Sequence, residues 1–462
     1  MNKKERPRMG FFCQQCGNES PKWMGRCPAC GEWNSYVEAP RQPAQPKSHA
    51  SGPANEPVEL VSVSSGDAPR MPTALGEMDR VLGGGLVPGS LVLLGGDPGI
   101  GKSTLLLAVA DSLARQGRPV LYLSGEESLH QVKLRAERLQ VRGEKLFLLA
   151  ETDLEAVLSH LDALSPSMAI IDSIQTISLD EVSGGPGSIA QVRECALRLM
   201  RWAKAKNIPV LIAGHVTKEG NLAGPKLLEH MVDVVLYLEG EPFGSYRILR
   251  GVKNRFGSTN EVGVFEMREA GLMEVRDPSM AFLAERNPTS SGSAVVTTMQ
   301  GTRPLLVEVQ ALTNPTPYPN PRRTANGVDF NRLLLVVAVL SRRAGLRLAD
   351  QDIIVNVVGG LKVEEPAADL GIALAIASSL RDIPVKEGTV AFGEVGLSGE
   401  VRSVSHGERR LAEAASLGFN RAISPPNLRT STERFPNLSA ISVGTLHEAI
   451  KEGLSDRRKA SG

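Results

Sequence analysis

From about Thr73 to Arg276 the chain alternates short apolar runs with longer stretches in which apolar residues recur at helical spacing. The runs are LVLLGG, PVLYLSG, MAIIDS, PVLIAGH and VDVVLYLEG. Alternation of this kind predicts an α/β unit, a mostly parallel sheet flanked by helices. Pro278 to Ser293 reads as a break. From about Ala294 onward, strand-like runs (VVTTMQ, LLVEVQAL, DIIVNVVGG, TVAFGEV) mix with two helical stretches, NRLLLVVAVLSRRAG and AADLGIALAIASSL. TNPTPYPNPRR within that region reads as a proline-punctuated loop. Upstream, Ala39 to Pro57 is rich in Pro, Ala, Ser and Gln and poor in large apolar residues, the composition of a linker. The predicted division is a cysteine module over 1–36, a linker over 37–66, an α/β core over 67–277 and a third unit over 278–462.

Composition narrows the class. A chain of 462 residues is too long for one ordinary core, and 42% hydrophobic with 22% charged residues describes a globular protein. The net charge of +1 rules out a polycation, so any nucleic-acid surface must be local. The basic N-terminus, MNKKERPRMGFF, lacks the apolar core of a signal peptide, and no apolar run approaches the roughly 18 residues of a membrane span. A cytoplasmic location, with no membrane partner, is the expectation.

The sharpest chemical signal is Gly96-Asp-Pro-Gly-Ile-Gly101-Lys102-Ser103, which fits G-x-x-x-x-G-K-[ST] at every fixed position. LVLL precedes it as a strand and TLLLAVADSLARQ follows as a helix. Glycines let the backbone N–H groups curl toward an anion, and the helix adds its positive end. Gly96, Asp97, Pro98, Gly99, Ile100, Gly101, Lys102, Ser103 and Thr104 are therefore expected to hold ATP. Lys102 reaches the β- and γ-phosphates and Ser103 ligates Mg²⁺. Asp172, ending the run MAIIDS, is placed to complete the Mg²⁺ site. LYLSGEES offers a water-activating carboxylate just after the next strand. Glu126 matches the catalytic position of RecA-type ATPases, and Glu127 is the alternative, or a carboxylate at a helix start. His215, ending VLIAGH, is placed to sense the γ-phosphate, or simply to cap its strand.

VKNRFGS sets Lys253 and Arg255 two residues apart, so in an extended segment both face one side. So far along the chain they are not expected to fold back onto their own P-loop. In ring and filament ATPases such cations meet the γ-phosphate held by the neighbouring subunit. A solvated basic turn is the plainer alternative.

Four of the five cysteines, Cys13, Cys16, Cys27 and Cys30, form C-x₂-C-x₁₀-C-x₂-C. Two such knuckles make a closed tetrahedral Zn²⁺ site with a structural role, and Gly17 and Gly31 suit the knuckle turns. So short a module depends on metal for its folding. Lys22, Trp23, Arg26 and Trp33 suit contact with DNA by charge and stacking, and the aromatics serve equally well as a miniature core. Cys195, in an amphipathic helix, is expected to be a buried small hydrophobe.

CQQC…CPAC, GGDPGIGKST, YLSGEES and KNRFG at 253–257, in this order, resemble the bacterial RadA (Sms) DNA-repair family over almost the whole chain. The resemblance implies a C4 zinc finger, a RecA-like ATPase core and a Lon-protease-like α+β domain. It implies a motor in homologous recombination that promotes branch migration, and a homo-oligomer, a ring of about six subunits with ATP between them. It also implies single-stranded and branched DNA as substrates, and a RecA-type recombinase as partner. Loops at Ser183–Ser188 and Thr217–Leu227, the second with Lys218 and Lys226, would line the channel, with ordinary surface loops as the alternative. KVEEPAADLGIALAIASSL resembles the stretch that carries Lon's nucleophilic serine, but Ala367 stands at the serine position. Glu408 aligns with the partner lysine, so peptide hydrolysis is not expected. What remains is a scaffold for ring assembly or for duplex DNA, in which Arg322, Arg323, Arg332, Arg342, Arg343 and Arg347 concentrate positive charge, unless they are scattered solvated side chains. The remaining readings are an ATP-switched DNA scaffold without translocation and, least, an ATP-dependent protease.

Overall fold

The computed structural model describes residues 9–13, 19–28, 31–40, 59, 69–214, 228–240, 244–316, 318, 320–426 and 434–455. The ribbon at the N-terminus has three strands, β1 (Met9–Cys13), β2 (Glu19–Ser20) and β3 (Tyr36–Pro40), with β1 in the middle.

Helix α1 (Gly76–Leu82) leads into a nine-stranded sheet. Its strands are β4 (Leu91–Gly95), β5 (Val120–Ser124), β6 (Leu146–Leu149), β7 (Met168–Asp172), β8 (Val210–Ala213) and β9 (Val234–Glu239), followed by β10 (Tyr246–Asn254), β11 (Val262–Arg268) and β12 (Gly271–Glu274). The order is β12-β11-β10-β9-β4-β8-β7-β5-β6. From β9 through β6 every pairing is parallel, and β9 to β12 continue as antiparallel neighbours. Along β4 the side chains alternate between two cores. Val92 and Leu94 pack with α2 (Lys102–Arg115), whereas Leu91 and Leu93 pack with α4 (Leu154–Leu164) and α5 (Ile189–Lys206). Helix α3 (Leu129–Arg138) follows β5 and is opened by a capping box of Ser128 and Gln131.

The expected break at 278–293 begins with a short helix, α6 (Pro278–Leu283), capped by Asp277 and started by proline at its first position. A seven-stranded mixed sheet follows. Its strands are β13 (Ser293–Gln300), β14 (Arg303–Pro315), β15 (Arg323–Asn326), β16 (Gln351–Val357), β17 (Thr389–Ala391), β20 (Arg421–Ser424) and β21 (Ser439–Ser442), with β18 (Glu394–Val395) and β19 (Val401–Arg402) as a separate hairpin. Strand β14 runs on through Pro315, so the proline-rich loop is shorter than the sequence suggests. Helices α7 (Phe330–Arg343), α8 (Asp369–Arg381) and α10 (Leu446–Gly453) cover one face, and α9 (Gly407–Ser416) covers the other.

The two large sheets are clasped together. Ile248, Val262 and Val264 of β10 and β11 join the apolar core of the C-terminal sheet. Arg303, where β14 starts, donates to Glu77 of α1 at 2.6 Å, and the same carboxylate accepts from Val264 N at 2.8 Å. Thr302 N donates to Asn260 O at 2.7 Å. The β13–β14 turn therefore rests on the residues that immediately follow KNRFG.

Candidate nucleotide site

The loop after β4 curls back over the start of α2. Gly96 adopts φ +150°, and a Cβ there would lie 2.6 Å from the Leu238 carbonyl oxygen, so only glycine fits. Helix α2 starts at Lys102 with no side-chain cap and no acidic residue in its first turn. Its N-terminal amides are thus left for an anion. Lys102 is 4% exposed and donates to Gly96 O at 2.9 Å and Asp97 O at 3.1 Å, folded over the loop it would share with phosphate. Burial pulls the pKa of Lys102 down, and the charges of Asp172, Asp97 and Glu126 push it back up. One buried cation thus stands among three carboxylates, a setting that suits a polyanion with a divalent metal. Ser103 and Thr104 are partly buried in the first turn of α2, while Asp97, Pro98 and Gly99 are exposed and Ile100 is buried. Arg247, 5% exposed on β10, donates from Nε to Ile100 O at 3.1 Å and ties the loop to the antiparallel half of the sheet.

Strand order brings the acidic residues together. Only β8 stands between β4 and β7, and β5 pairs with β7 so that Ser124 lies opposite Asp172. Tyr122 donates its hydroxyl to Asp172 Oδ2 at 2.5 Å. Burial first, and then the Asp172 charge, raises the pKa of Tyr122 well above its usual value, so the phenol stays a donor. Ser173 Oγ donates to Glu126 Oε1 at 2.6 Å. Gly125 N donates to Asp172 O at 3.0 Å, and a Cβ on Gly125 would fall 1.9 Å from Thr176 Oγ1. The GEE turn is therefore pressed onto the segment after Asp172. Glu127 pairs with Arg135 of α3. The two neighbouring glutamates thus differ: Glu126 is held beside Asp172, and Glu127 is committed to a helix. Tyr122, Ser173, Arg135 and Arg247 escaped the sequence reading. The available signals were a Tyr and an Arg within otherwise apolar strands, and a Ser directly after the strand-ending Asp.

KNRFG sits at the far end of the sheet. Asn254 pairs with Val234, which pairs with Val92 at the amino end of β4, whereas the P-loop leaves the carboxyl end. A bulge falls between Gly251 and Lys253. Lys253 Nζ donates to Glu229 O at 2.6 Å and His230 O at 3.2 Å, and its pKa is lowered by burial and then by the Arg255 charge. Arg255 Nη1 lies 3.1 Å from Asp233 Oδ1, with 48% of the Arg255 side chain exposed. Asp233 in turn accepts from Leu91 N at 3.1 Å. The two cations do share one neighbourhood, the 229–233 segment. Asn254 Nδ2 and Arg70 Nη1 both donate to Leu82 O, at 3.3 and 2.8 Å, and fasten this turn to the end of α1.

Cys13 and Cys27 lie 2% and 1% exposed in one small cluster with Tyr36, Phe11 and Met24, a donor pair that fits a thiolate metal site. Cys16, Cys30, His215 and the Thr217–Leu227 loop with Lys218 and Lys226 lie outside the described residues. The Ser183–Ser188 loop is mostly exposed, and Ser188 caps α5. Cys195 is fully buried, as expected.

At the Lon-like positions Ala367 is 2% exposed. Glu408 faces solvent and pairs with Arg434 at 2.9 Å. The buried cation of α9 is Arg410, which grips Glu365 through both Nη atoms at 2.7 and 2.8 Å. Ser378 donates to Ile383 O and Ser379 accepts from Thr313 N, so both act as structural hydroxyls. The arginine group is less of a free positive patch than its sequence suggests. Arg332 is paired with buried Asp369 and with Glu394, and Arg323 donates to Leu348 O and Gln351 O.

Taken together, the P-loop, the Asp172 strand and the strand order define an ATP-hydrolysing P-loop protein with a RecA-like core. Family-level comparison matches residues 55–221 to an AAA domain, 11–38 to a rubredoxin metal binding domain and 332–427 to subunit ChlI of Mg-chelatase. The chain is 53% identical over 449 residues to the DNA repair protein RadA of Bacillus subtilis, covering 96% of this chain and 98% of that one. It is 52% identical over 448 residues to the protein of the same name from Listeria monocytogenes, with the same coverage of 96% and 98%. The chain belongs to the RadA family of DNA repair proteins. Its C-terminal sheet and helices form the family's Lon-protease-like domain. Among solved structures it is similar to the KaiC-like protein PH0186 of Pyrococcus horikoshii OT3 (20% identity, 45% of this chain and 99% of that one, TM-score 0.39). It is also similar to the RadB recombinase (24% identity, 44% and 99%, TM-score 0.36). No helix among the described residues is long and apolar enough to cross a membrane.

Proposed function

We propose that this protein is a DNA-stimulated ATPase motor of recombinational repair that drives branch migration as a ring of about six subunits, with ATP held between subunits. The functional division runs 1–36, 37–66, 67–277 and 278–462, with Zn²⁺ in the first segment. One observation carries the reading. Arg255 stands at the amino end of β4 and the P-loop at its carboxyl end, a separation that supports a finger serving a neighbour's site rather than its own. The names of the relatives support the DNA-repair setting.

In this mechanism Lys102 leaves the Gly96 and Asp97 carbonyls and turns to the phosphates. Ser103 and Asp172 would hold Mg²⁺, and Tyr122 fixes which face Asp172 presents. The metal would supply charge neutralisation at the phosphate oxygens. Glu126, oriented by Ser173, takes the proton of the attacking water. Arg255 of the adjoining subunit neutralises charge that builds during transfer, because a guanidinium stays ionised and forks to oxygen. His215 and the loops at 183–188 and 217–227 relay the change to single-stranded or branched DNA, with a RecA-type recombinase as the partner on that DNA.

The test is subunit complementation. Lys102→Ala abolishes ATP turnover, and Arg255→Ala keeps nucleotide binding but stops hydrolysis. Mixing the two restores part of the activity, because mixed interfaces pair an intact P-loop with an intact finger. Normal hydrolysis by Arg255→Ala alone sinks the assignment, and so does a fully active monomer. Absence of DNA stimulation or of branch migration in the wild type sinks the motor reading.

A further inference from the structure

The zinc ribbon shows two large aromatic rings to solvent. Trp23 is 52% exposed and Trp33 66%, whereas Trp202, the third tryptophan of the chain, is 8% exposed. Among the described residues neither exposed ring belongs to the ribbon's core of Cys13, Cys27 and Tyr36, with Phe11 and Met24 packed against it. The miniature-core alternative therefore fails for both. An indole left in water gives up a large apolar contact, so two on one small module call for a partner.

The rings are placed as a pair. A Cβ on Gly25 would lie 3.7 Å from the Trp23 ring and 4.0 Å from that of Trp33, so the two indoles flank one residue. The Arg26 guanidinium sits 5.7 Å from the Trp33 centroid and donates to Gly31 O at 2.9 Å, which fixes its plane. Backbone bonds from Asn34 N to Gly25 O at 2.7 Å and from Cys27 N to Glu32 O at 2.8 Å hold the two turns in register. The platform is thus preorganised before any partner arrives. Exposed Glu32 adjoins Trp33 in sequence and is the carboxylate nearest the rings along the chain.

Charge points to the partner. Residues 1–50 carry eight Lys and Arg against four Glu and no Asp, while the whole chain nets only +1. The ribbon end is therefore the basic end of an otherwise slightly acidic chain. Stacking faces beside cations, without a groove-reading helix, match unstacked bases on a phosphate backbone.

We propose that Trp23 and Trp33, with Arg26 and Lys22, form a base-stacking platform for single-stranded DNA on the zinc ribbon, distinct from the channel loops of the ATPase core. The proposal rests on the DNA-acting reading above. It is tested on the full-length, zinc-loaded chain by fluorescence anisotropy with a 30-nucleotide oligo(dT), roughly two OB-fold-sized sites long, and an abasic oligomer of equal length and charge. The wild type is expected to prefer oligo(dT). Trp23→Ala/Trp33→Ala loses about tenfold in affinity for oligo(dT), the scale of one base–aromatic stack, and changes little toward the abasic oligomer. Trp23→Phe/Trp33→Phe retains most of the affinity. In a Trp202→Phe background, oligo(dT) quenches the remaining indole fluorescence and the abasic oligomer does not. Unchanged oligo(dT) affinity in the alanine variant overturns the platform while leaving the DNA-acting reading intact. No binding of either oligomer by the wild type overturns both. If the alanine variant loses zinc, the quenching experiment decides, and no quenching overturns the platform.

Discussion

Tyr122 on β5 gives its only hydroxyl proton to Asp172 at the end of β7, across 2.5 Å. The phenol is 1% exposed, so no water replaces it. Tyr122→Phe removes one hydrogen bond and leaves the packing in place. A bond of this kind contributes about 1–2 kcal/mol, so the Mg²⁺ concentration for half-maximal ATP turnover is expected to rise roughly five- to thirtyfold. An unchanged Mg²⁺ titration would show that Asp172 is oriented by something else.

Glu126 and Glu127 are adjacent in sequence and bound to different neighbours. Glu126→Gln is expected to keep nucleotide binding and lower turnover by about 10²–10⁴, the range for a lost general base. Glu127→Gln breaks only the pairing with Arg135 and is expected to retain turnover within a few-fold. Single-turnover hydrolysis of both variants separates them. Equal losses would mean that the division of labour inferred from Ser173 is wrong.

Arg410 has no exposed side-chain surface, and its guanidinium is spread over Glu365, Thr297 O and Ser405 O. Arg410→Ala strands Glu365 and is expected to cost about 3–5 kcal/mol, read as a lower midpoint in urea for the C-terminal transition. Ala367→Ser/Glu408→Lys is expected to show no ATP-driven casein degradation, because position 408 faces solvent and Arg410 fills the interior of that helix start. Cleavage by this variant would show the fold still able to bring a serine and a lysine together.

Burial pushes the Cys195 thiol up to about 12 from an ordinary value of 9.0. In the folded chain it should resist thiol reagents at pH 8, while the ribbon cysteines react once a chelator has removed the metal. Quantifying labelled thiols before and after denaturation checks this. The stability linked to Cys195 is fully present below pH 9. It declines as pH rises toward 12, because the unfolded thiol ionises first.

What the sequence displayed, and what it hid, follows from how far each signal reaches along the chain. Gly96 to Thr104 is one continuous loop and helix start, so its chemistry is spelled in adjacent letters. Asp172 ends one strand and Glu126 lies two residues past the end of another, so both needed only the alternation of apolar runs to be placed. Tyr122 and Ser173 act across β5 and β7, which are 44 residues apart from the end of one strand to the start of the next, and nothing local marks such a contact. Arg247 touches the P-loop from β10, a strand the parallel pattern does not foretell. KNRFG announced its cations but not their hold on the 229–233 carbonyls and on Asp233. Trp23 and Trp33 read alike as core or surface, because a metal-bound ribbon can be filled by very few side chains.

Strand β10 begins beside Arg247, anchored at Ile100, and ends at the Lys253–Asn254 turn, nine residues and roughly 30 Å later. Paired with β11 over Tyr246–Arg250 and with β9 from Ile248 to Asn254, it is held along its whole length as a tie-rod rather than a tether. In the proposed ring, a shift of the glycine loop at one end would be carried along this rod toward the adjoining protomer. The irregularity at Gly251 is the natural place for it to flex, so shortening or straightening that kink should change how firmly successive sites fire in step.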